Sequence, residues 1–327
     1  MKNLFMVFFI LVIFASAHAE KRDKLVFTGP FTAVSYPLIY MADQNSMGDF
    51  AHKTEFRYWQ NPDQLRAMIA GEQADFAAAP SYVGAMFYNK GISVKLMNIS
   101  VWGILHVMSS DPAVKTFQDM KGKKVAVPFR GEMPDLIFRH LAEKNGIEPE
   151  KDYDLIYVAH PMDIAQILLS GRADTAMSAE PAVSMTIAKS KELAAKGKGN
   201  PLVKVIDLQQ EWGRVYDTSP RIAQAGTLAL ASVIEDRQLL SVFEAEFEKA
   251  AEWLKNNPEK AADIIVNYLP NMSREAIVIG IRNSDMNPVP AYDALEEIKL
   301  FFSILHESDP SKIGGQMPDG DLYYHDR

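Results

Sequence analysis

Cysteine is absent from all 327 residues. That removes disulfides, thiol nucleophiles and cysteine-ligated metals from consideration. A chain of this length can hold itself by core packing alone. Positive charge is also in deficit, with 34 Lys and Arg against 42 Asp and Glu and a formal charge of -8. With no basic stripe either, nucleic acid is excluded as a partner. The Lys121-Gly122-Lys123-Lys124 run reads as a turn into a strand. The phosphate-binding patterns G-x-x-x-x-G-K-[ST] and G-x-G-x-x-G do not occur, nor does the hydrolase pattern G-x-S-x-G. Histidines are scattered (18, 52, 106, 140, 160, 306, 325) without metal-ligand spacing, so neither a metal nor another cofactor is expected.

Long apolar runs are missing too, except at the start. MKNLFMVFFILVIFASAHAE carries Lys2, an apolar stretch from Leu4 to Phe14, then Ala17-His18-Ala19. These are the parts of a cleavable secretory signal with an A-x-A site, and the stretch is short for a membrane span. Residues 1–19 are therefore expected to be removed, leaving Glu20 first and the chain one unit more negative. No cysteine follows the site to carry lipid, which points to a free periplasmic protein rather than a lipoprotein.

What the chain does have is a repeat. AGEQADFAAAP (70–80) and SGRADTAMSAEP (170–181) each end a helical pattern with Gly, then give Ala-Asp, small residues and Pro. Upstream, FRYWQNP faces LIYVAHP, and LVFTGPF faces KVAVPF; downstream, VKLMNISVW faces VKVIDLQQEW. The offset grows from 98 at the Pro-Phe pairs to 109 at the Val-Lys pairs, as loop insertions such as SKELAAKGKGN would produce. Each unit alternates strand and helix, with Pro opening helices and Gly closing them. This predicts an α/β fold of two lobes, each a mostly parallel sheet flanked by helices. Ile104 to Pro112 and Ala223 to Val233 read as two crossings between the lobes. Lobe one is then discontinuous, 24–108 plus 222–327, and lobe two is 109–221. From Glu235 the pattern is helical and is expected to pack on lobe one.

DQLRAMIAGEQADFAAAP, FQDMKGKKVAVPFRG, ILLSGRADTAMSAEPAVSM and the tail IGGQMPDGDLYY resemble the solute-binding proteins of ATP-driven (ABC) importers. The likeness covers most of residues 24–327. It is similar in particular to the group that binds taurine, alkanesulfonates, nitrate and thiamine-precursor pyrimidines. The resemblance implies a type II-like periplasmic-binding-protein clamp, a monomer that closes on one small solute and docks on an inner-membrane ABC permease. It implies no catalytic residue. Two alternatives share the fold: cytoplasmic enzymes of pyrimidine or menaquinone pathways, which a cleavable signal opposes, and a sensor docking on a receptor.

In such sheets ligands bind at the strand-to-helix turns, and two facing lobes make a cleft of two such sets. Lobe one offers Thr32, Ser35 and Tyr36, then Trp59 and Asn61, then Pro80, Ser81 and Tyr82, with Trp102 near the first crossing. Lobe two offers Arg130, Gly131 and Glu132, then His160, then Ser178 and Glu180; Trp212 and Thr227 complete the set. Aromatics suit flat solutes, though each has a structural reading as core. Trp102 and Trp212 end equivalent strands and would serve as core caps, and His160 as a loop cap. Glu180 at a helix start also suits the helix dipole. Asp75 and Asp174 are expected to bind backbone donors after their turns. Glu132 and Asp135 put negative charge where a bound anion would want bare N–H groups. That shifts the expected solute from nitrate or a sulfonate toward a neutral or cationic ring, provided the carboxylates face the cleft.

Overall fold

The computed structural model describes residues 20–159 and 161–325. The expected signal segment and His160 lie outside the described residues. Lobe one begins with four strands, β1 (Arg22–Gly29), β2 (Ala51–Tyr58), β3 (Phe76–Pro80) and β4 (Val94–Val101). Helices α1 (Tyr36–Asp43), α2 (Pro62–Ala70) and α3 (Ser81–Asn89) alternate with them. After β5 (Leu105–Ser109), lobe two repeats the plan: β6 (Lys124–Pro128), α4 (Met133–Lys144), the short α5 (Pro149–Asp152) and β7 (Asp154–Val158). It continues with α6 (Pro161–Leu169), β8 (Thr175–Ala179), α7 (Ala182–Ala195), β9 (Val203–Asp207) and α8 (Leu208–Tyr216). The chain returns as β10 (Ala225–Leu230), α9 (Arg237–Asn256), α10 (Pro258–Ile265), α11 (Arg274–Asn283), β11 (Val289–Pro290) and α12 (Leu295–Ser308).

The two sheets share one order. The first runs β2-β1-β3-β10-β4-β11 and the second β7-β6-β8-β5-β9. The repeat strands run in one direction, and the strand inserted at the fourth place runs against both its neighbours. That strand is supplied by a crossing: β5 enters the second sheet straight from β4, and β10 enters the first after α8. Each sheet is therefore mixed, and each lobe is completed by a strand arriving from the other.

Two sequence expectations shift. Leu105–Ser109 pairs with β8 and β9, so the first crossing is the short Trp102–Ile104 stretch and the apolar run after it belongs to the second sheet. An apolar run between two sheets has no local feature that assigns it to either. Trp212 lies inside α8 rather than at a strand end, because Asp207 stops β9 by accepting from the Gln209 and Gln210 N–H groups as a helix cap.

The strands are buried by helices whose apolar positions recur at helical spacing. In α9, Leu239, Leu240, Phe243, Phe247, Ala250, Ala251 and Leu254 are buried along one stripe. Phe243 stacks on Phe76 of β3 at 3.8 Å between ring centres, with Phe27 of β1 edge-on to both. Each such ring contributes roughly 2–3 kcal/mol by burial, and Phe243→Ala would leave a cavity costing about 3–5 kcal/mol. β10 is squeezed between β3 and β4 at Gly226, where a Cβ would sit 1.8 Å from the Asn98 carbonyl oxygen. Only glycine fits that approach.

Where the two crossings pass, they bond to each other: Ile222 N–H donates to the Trp102 carbonyl at 2.8 Å, and Ile104 N–H to Gln224 Oε1 at 3.2 Å. A narrow two-strand connection of this kind is what hinge bending requires. α9 and α10 pack on α1. On the hinge side α12 brings Phe301 edge-on to Trp212, 6.1 Å between ring centres.

Candidate functional site

A cavity of about 480 Å³ opens between the lobes. Its walls are the same three turns taken from each lobe, as the repeat demands. Lobe one gives Phe31 and Thr32 before α1, Trp59 and Gln60 before α2, and Pro80 and Tyr82 at the start of α3. Lobe two gives Phe129 and Glu132 before α4, Pro161 and Met162 at α6, and Glu180 and Pro181 before α7. Ile104 of the first crossing, and Val101, Leu105 and Ala225 at the strand ends beside the crossings, line the cavity as well. Asn271, Met272 and Ala276, around the start of α11, close one side.

Polar groups on this wall are few, and three of them meet. Glu132 is the extended residue immediately before α4. Its turn is shaped by two left-handed residues, Phe129 at φ 56° and Gly131 at φ 73°. The first is unusual for a side chain of that size. Gly131 N–H donates to Asp135 at 2.7 Å, so Asp135 satisfies the turn and Glu132 is free to point across the cleft. There its Oε1 accepts from Arg66 Nη2 of α2 at 2.7 Å, and its Oε2 accepts from the Tyr82 hydroxyl of α3. Arg66 also donates to Asp63 at 2.9 Å. Burial and then the Glu132 charge hold the Tyr82 hydroxyl well above its ordinary pKa. For Arg66, partial burial opposes the charge, but the Glu132 carboxylate outweighs it and the guanidinium pKa rises. Tyr82 is thus held as a hydroxyl donor and Arg66 as a cation at neutral pH.

Glu180 borders the cavity, yet its side chain is fully buried and its oxygens are engaged elsewhere. Oε2 accepts from Ser184 N–H at 3.1 Å and Oε1 from Ser184 Oγ at 2.8 Å. Lys204 Nζ lies 2.5 Å from Oε1. The carboxylate thus caps α7 and pairs with a lysine of β9. Ser184 Oγ in turn accepts from Asn283 of α11 at 2.7 Å, linking the lobes behind the cleft.

Of the candidates named from sequence, Thr32, Trp59, Pro80, Tyr82, Glu132 and Glu180 reach the cavity wall. The other described candidates are not on that wall. Ser35 Oγ donates to the Pro30 carbonyl, closing its own turn. Tyr36 is fully buried beneath α11, its hydroxyl against Met272 Sδ at 4.0 Å. Asn61 caps α2, accepting from Gln64 N–H at 2.9 Å. Ser81 Oγ donates to the Ala223 carbonyl. Trp102 is buried, its indole N–H donating to the Asn287 carbonyl at 2.7 Å with Arg221 over its ring. Arg130 lies over the Tyr157 ring, 4.9 Å from its centre. Gly131 serves the turn just described. Ser178 and Thr227 are buried inside strands, and Trp212 in the hinge-side core. Of the two aspartates, Asp75 accepts from Val26 N–H at 2.6 Å, whereas Asp174 offers its backbone carbonyl to Ser109 and Ser110.

Sequence reading missed Arg66, Phe31, Phe129, Met133, Met185 and Met272, all on the wall. Arg66 sits a turn inside α2 and three residues after Asp63, the pattern of an ordinary surface ion pair. The methionines carry no local signal at all. Among the described residues no group of three His, Cys, Asp or Glu side chains is placed to hold a metal, and no helix is long and apolar enough to cross a membrane.

With this geometry in hand, the chain can be set beside known proteins. The family described as NMT1/THI5 like matches residues 56–261. The nitrate/nitrite binding protein NrtA of Synechococcus elongatus is 28% identical over 169 residues, 49% of this chain and 36% of that protein. An ABC transporter structure from Parabacteroides distasonis superposes with a TM-score of 0.74 at 17% identity, covering 93% of this chain and all of the other. The periplasmic aliphatic sulphonate binding protein SsuA of Escherichia coli superposes with a TM-score of 0.67 at 14% identity, covering 90% of this chain and 96% of the other. At such identities the structural likeness is one of fold: two mixed sheets flanked by helices in a two-lobed clamp.

Proposed function

Because this chain belongs to the NMT1/THI5-like family, we propose that it is the solute-binding component of an ABC importer. It would work in the periplasm and hand a small organic solute to an inner-membrane permease. The observation that carries this reading is the cavity itself. It is built from equivalent turns of two lobes whose chain connection is a narrow double crossing, so a bound solute touches both lobes and favours their closed arrangement. A ligand shifts such an equilibrium by its differential affinity for the closed form. The moving bodies are residues 24–101 with 225–325, and residues 105–216. Both walls come from one chain, so a monomer suffices.

The wall chemistry narrows the solute. Phe31, Trp59, Tyr82 and Phe129 offer rings, and Met133, Met185 and Met272 offer adaptable thioethers. About 480 Å³ suits a compact organic molecule. NrtA is named for nitrate and nitrite, and SsuA for aliphatic sulphonates. A thiamine-precursor pyrimidine or another flat, uncharged or cationic ring uses this wall better than a bare inorganic anion does. As a binding protein it is expected to turn nothing over.

Native mass spectrometry of the exported protein, before and after unfolding and refolding, tests the reading. A small organic mass that is present before, lost afterward and restored by adding it back is the expected result. A protein that carries nothing, and shows no thermal stabilisation by pyrimidines, sulfonates, nitrate or flavins, would sink it. Solute at a thousandfold excess over Kd should stabilise the fold by ~4 kcal/mol.

A further inference from the structure

Arg66 is the one cationic side chain on the cavity wall among the described residues, and three acidic residues, Glu132, Asp163 and Glu180, share that wall. Arg66 and Tyr82 both come from lobe one, and both give their hydrogen bonds to one carboxylate from lobe two. The Glu132 side chain is 20% exposed and Arg66 32% exposed, so the contact is partly shielded from water. Glu132 therefore occupies the position that a solute's own carboxylate, sulfonate or nitrate group would need in order to use those donors. We infer that Glu132 is a specificity-determining residue: a built-in anion that latches the empty clamp and reserves Arg66 and Tyr82, excluding anionic solutes from the cleft.

The physics has two parts. An anion entering the cleft must displace Glu132, leaving a partly buried carboxylate without its partners, which is costly. It must also approach Asp163 on the same wall, whereas Glu180 there is already paired with Lys204. A neutral or cationic ring avoids both penalties, because it can lie on the aromatic and methionine surfaces while the latch stays made. The donor set matches that of an anion site; the carboxylate seated in it turns the selectivity round. Specificity of this kind comes from a repulsive element as much as from an attractive one. The inference rests on the solute-binding reading for its biological sense, but its test does not need the natural solute.

The test compares the full mature chain with Glu132→Gln and with the double variant Arg66→Gln/Glu132→Gln, using nitrate and ethanesulfonate as probes in low-chloride buffer. Isothermal titration gives the affinities, and small-angle X-ray scattering gives the empty protein's radius of gyration. Glu132→Gln is expected to bind both anions at least tenfold more tightly than wild type, and its radius of gyration to rise as the latch weakens. The double variant should lose the gain, showing that Arg66 receives the anion. Equal anion affinity in wild type and Glu132→Gln, measurable or absent, overturns the inference. So does a gain that survives in the double variant. A tenfold gain in the variant, where the wild-type protein carries no organic solute and no pyrimidine, sulfonate, nitrate or flavin stabilises it, would instead sink the transport reading and leave this one standing.

Discussion

The turn from β3 to α3 and the turn from β8 to α7 are copies that have parted in their side chains. One backbone bond is common to both. Ser81 N–H donates to the Gln224 carbonyl at 3.0 Å and Glu180 N–H to the Ile104 carbonyl at 2.8 Å, so each turn is hooked to a crossing segment. The side chains then diverge. In lobe one Tyr82 reaches over the cleft to Glu132. In lobe two the Glu180 carboxylate folds back on Ser184 and Lys204. The turns after β1 and β6 differ in the opposite sense, with Ser35 closing on its own turn and Glu132 reaching across. Duplication supplied a symmetric clamp, and divergence placed the donors in one lobe and the acceptor in the other.

Between these two turns the larger effect on stability should come from the inward-folded carboxylate. Glu180→Ala removes one partner of a pair whose carboxylate is fully buried, and uncaps α7. Because Lys204 is 37% exposed, the loss falls toward the low end for broken buried pairs, about 3 kcal/mol, read as a lower midpoint in urea unfolding. Solute affinity should change little once the fraction unfolded is accounted for. A large rise in Kd with the unfolding midpoint unmoved would break the comparison, because Glu180 would then be serving the solute.

Lobe one keeps its own acid, half-buried by surface exposure with its carboxyl turned inward, and among the described residues no lysine pairs with it. Glu244 of α9 accepts from Asn98 Nδ2 at 3.0 and 3.1 Å. Burial, against this amide contact and with Glu248 nearby, raises its pKa to about 7. The folded-state value lies above the unfolded one, so the protonated carboxyl is the form the fold prefers. Its contribution is fully present below about pH 4.5 and is lost as pH rises through about 7. The loss should reach about 2–3 kcal/mol by pH 8. Glu244→Gln should remove that slope, so that wild type and variant converge in acid and separate in base. Parallel stability curves from pH 5 to about pH 8 would show that the carboxyl does not titrate there.

These contrasts mark how far the sequence could be read. The repeat, its Pro and Gly punctuation and the helical stripes are local patterns, and they foretold two lobes with equivalent turns at the cleft. Tyr82 and Glu132 were legible because they stand at those turns. Arg66 was not, since an arginine three residues after an aspartate looks like any solvated helix face. Ser81 and Asn61 stand at the right turns but bond their own backbone, a choice settled by where the Ala223 carbonyl and the Gln64 N–H lie. Whether β5 joined the first or the second sheet was fixed by pairing with β8 and β9, which no local pattern in β5 encodes.

The smallest effect sharpens the same point at α2, the helix that carries Arg66. Asn61 accepts from Gln64 N–H and so ends the strand-to-helix turn. Asn61→Ala should cost about 1 kcal/mol in unfolding free energy. The next turn of the helix is anchored independently by Leu65, Met68 and Ile69, which are buried. Arg66 should therefore stay in place, and solute affinity should fall less than twofold. A serine at this position caps nearly as well as asparagine and should restore the stability. If instead the alanine variant keeps its unfolding midpoint and loses solute tenfold, Asn61 touches the solute, and this turn joins the cleft chemistry of lobe one.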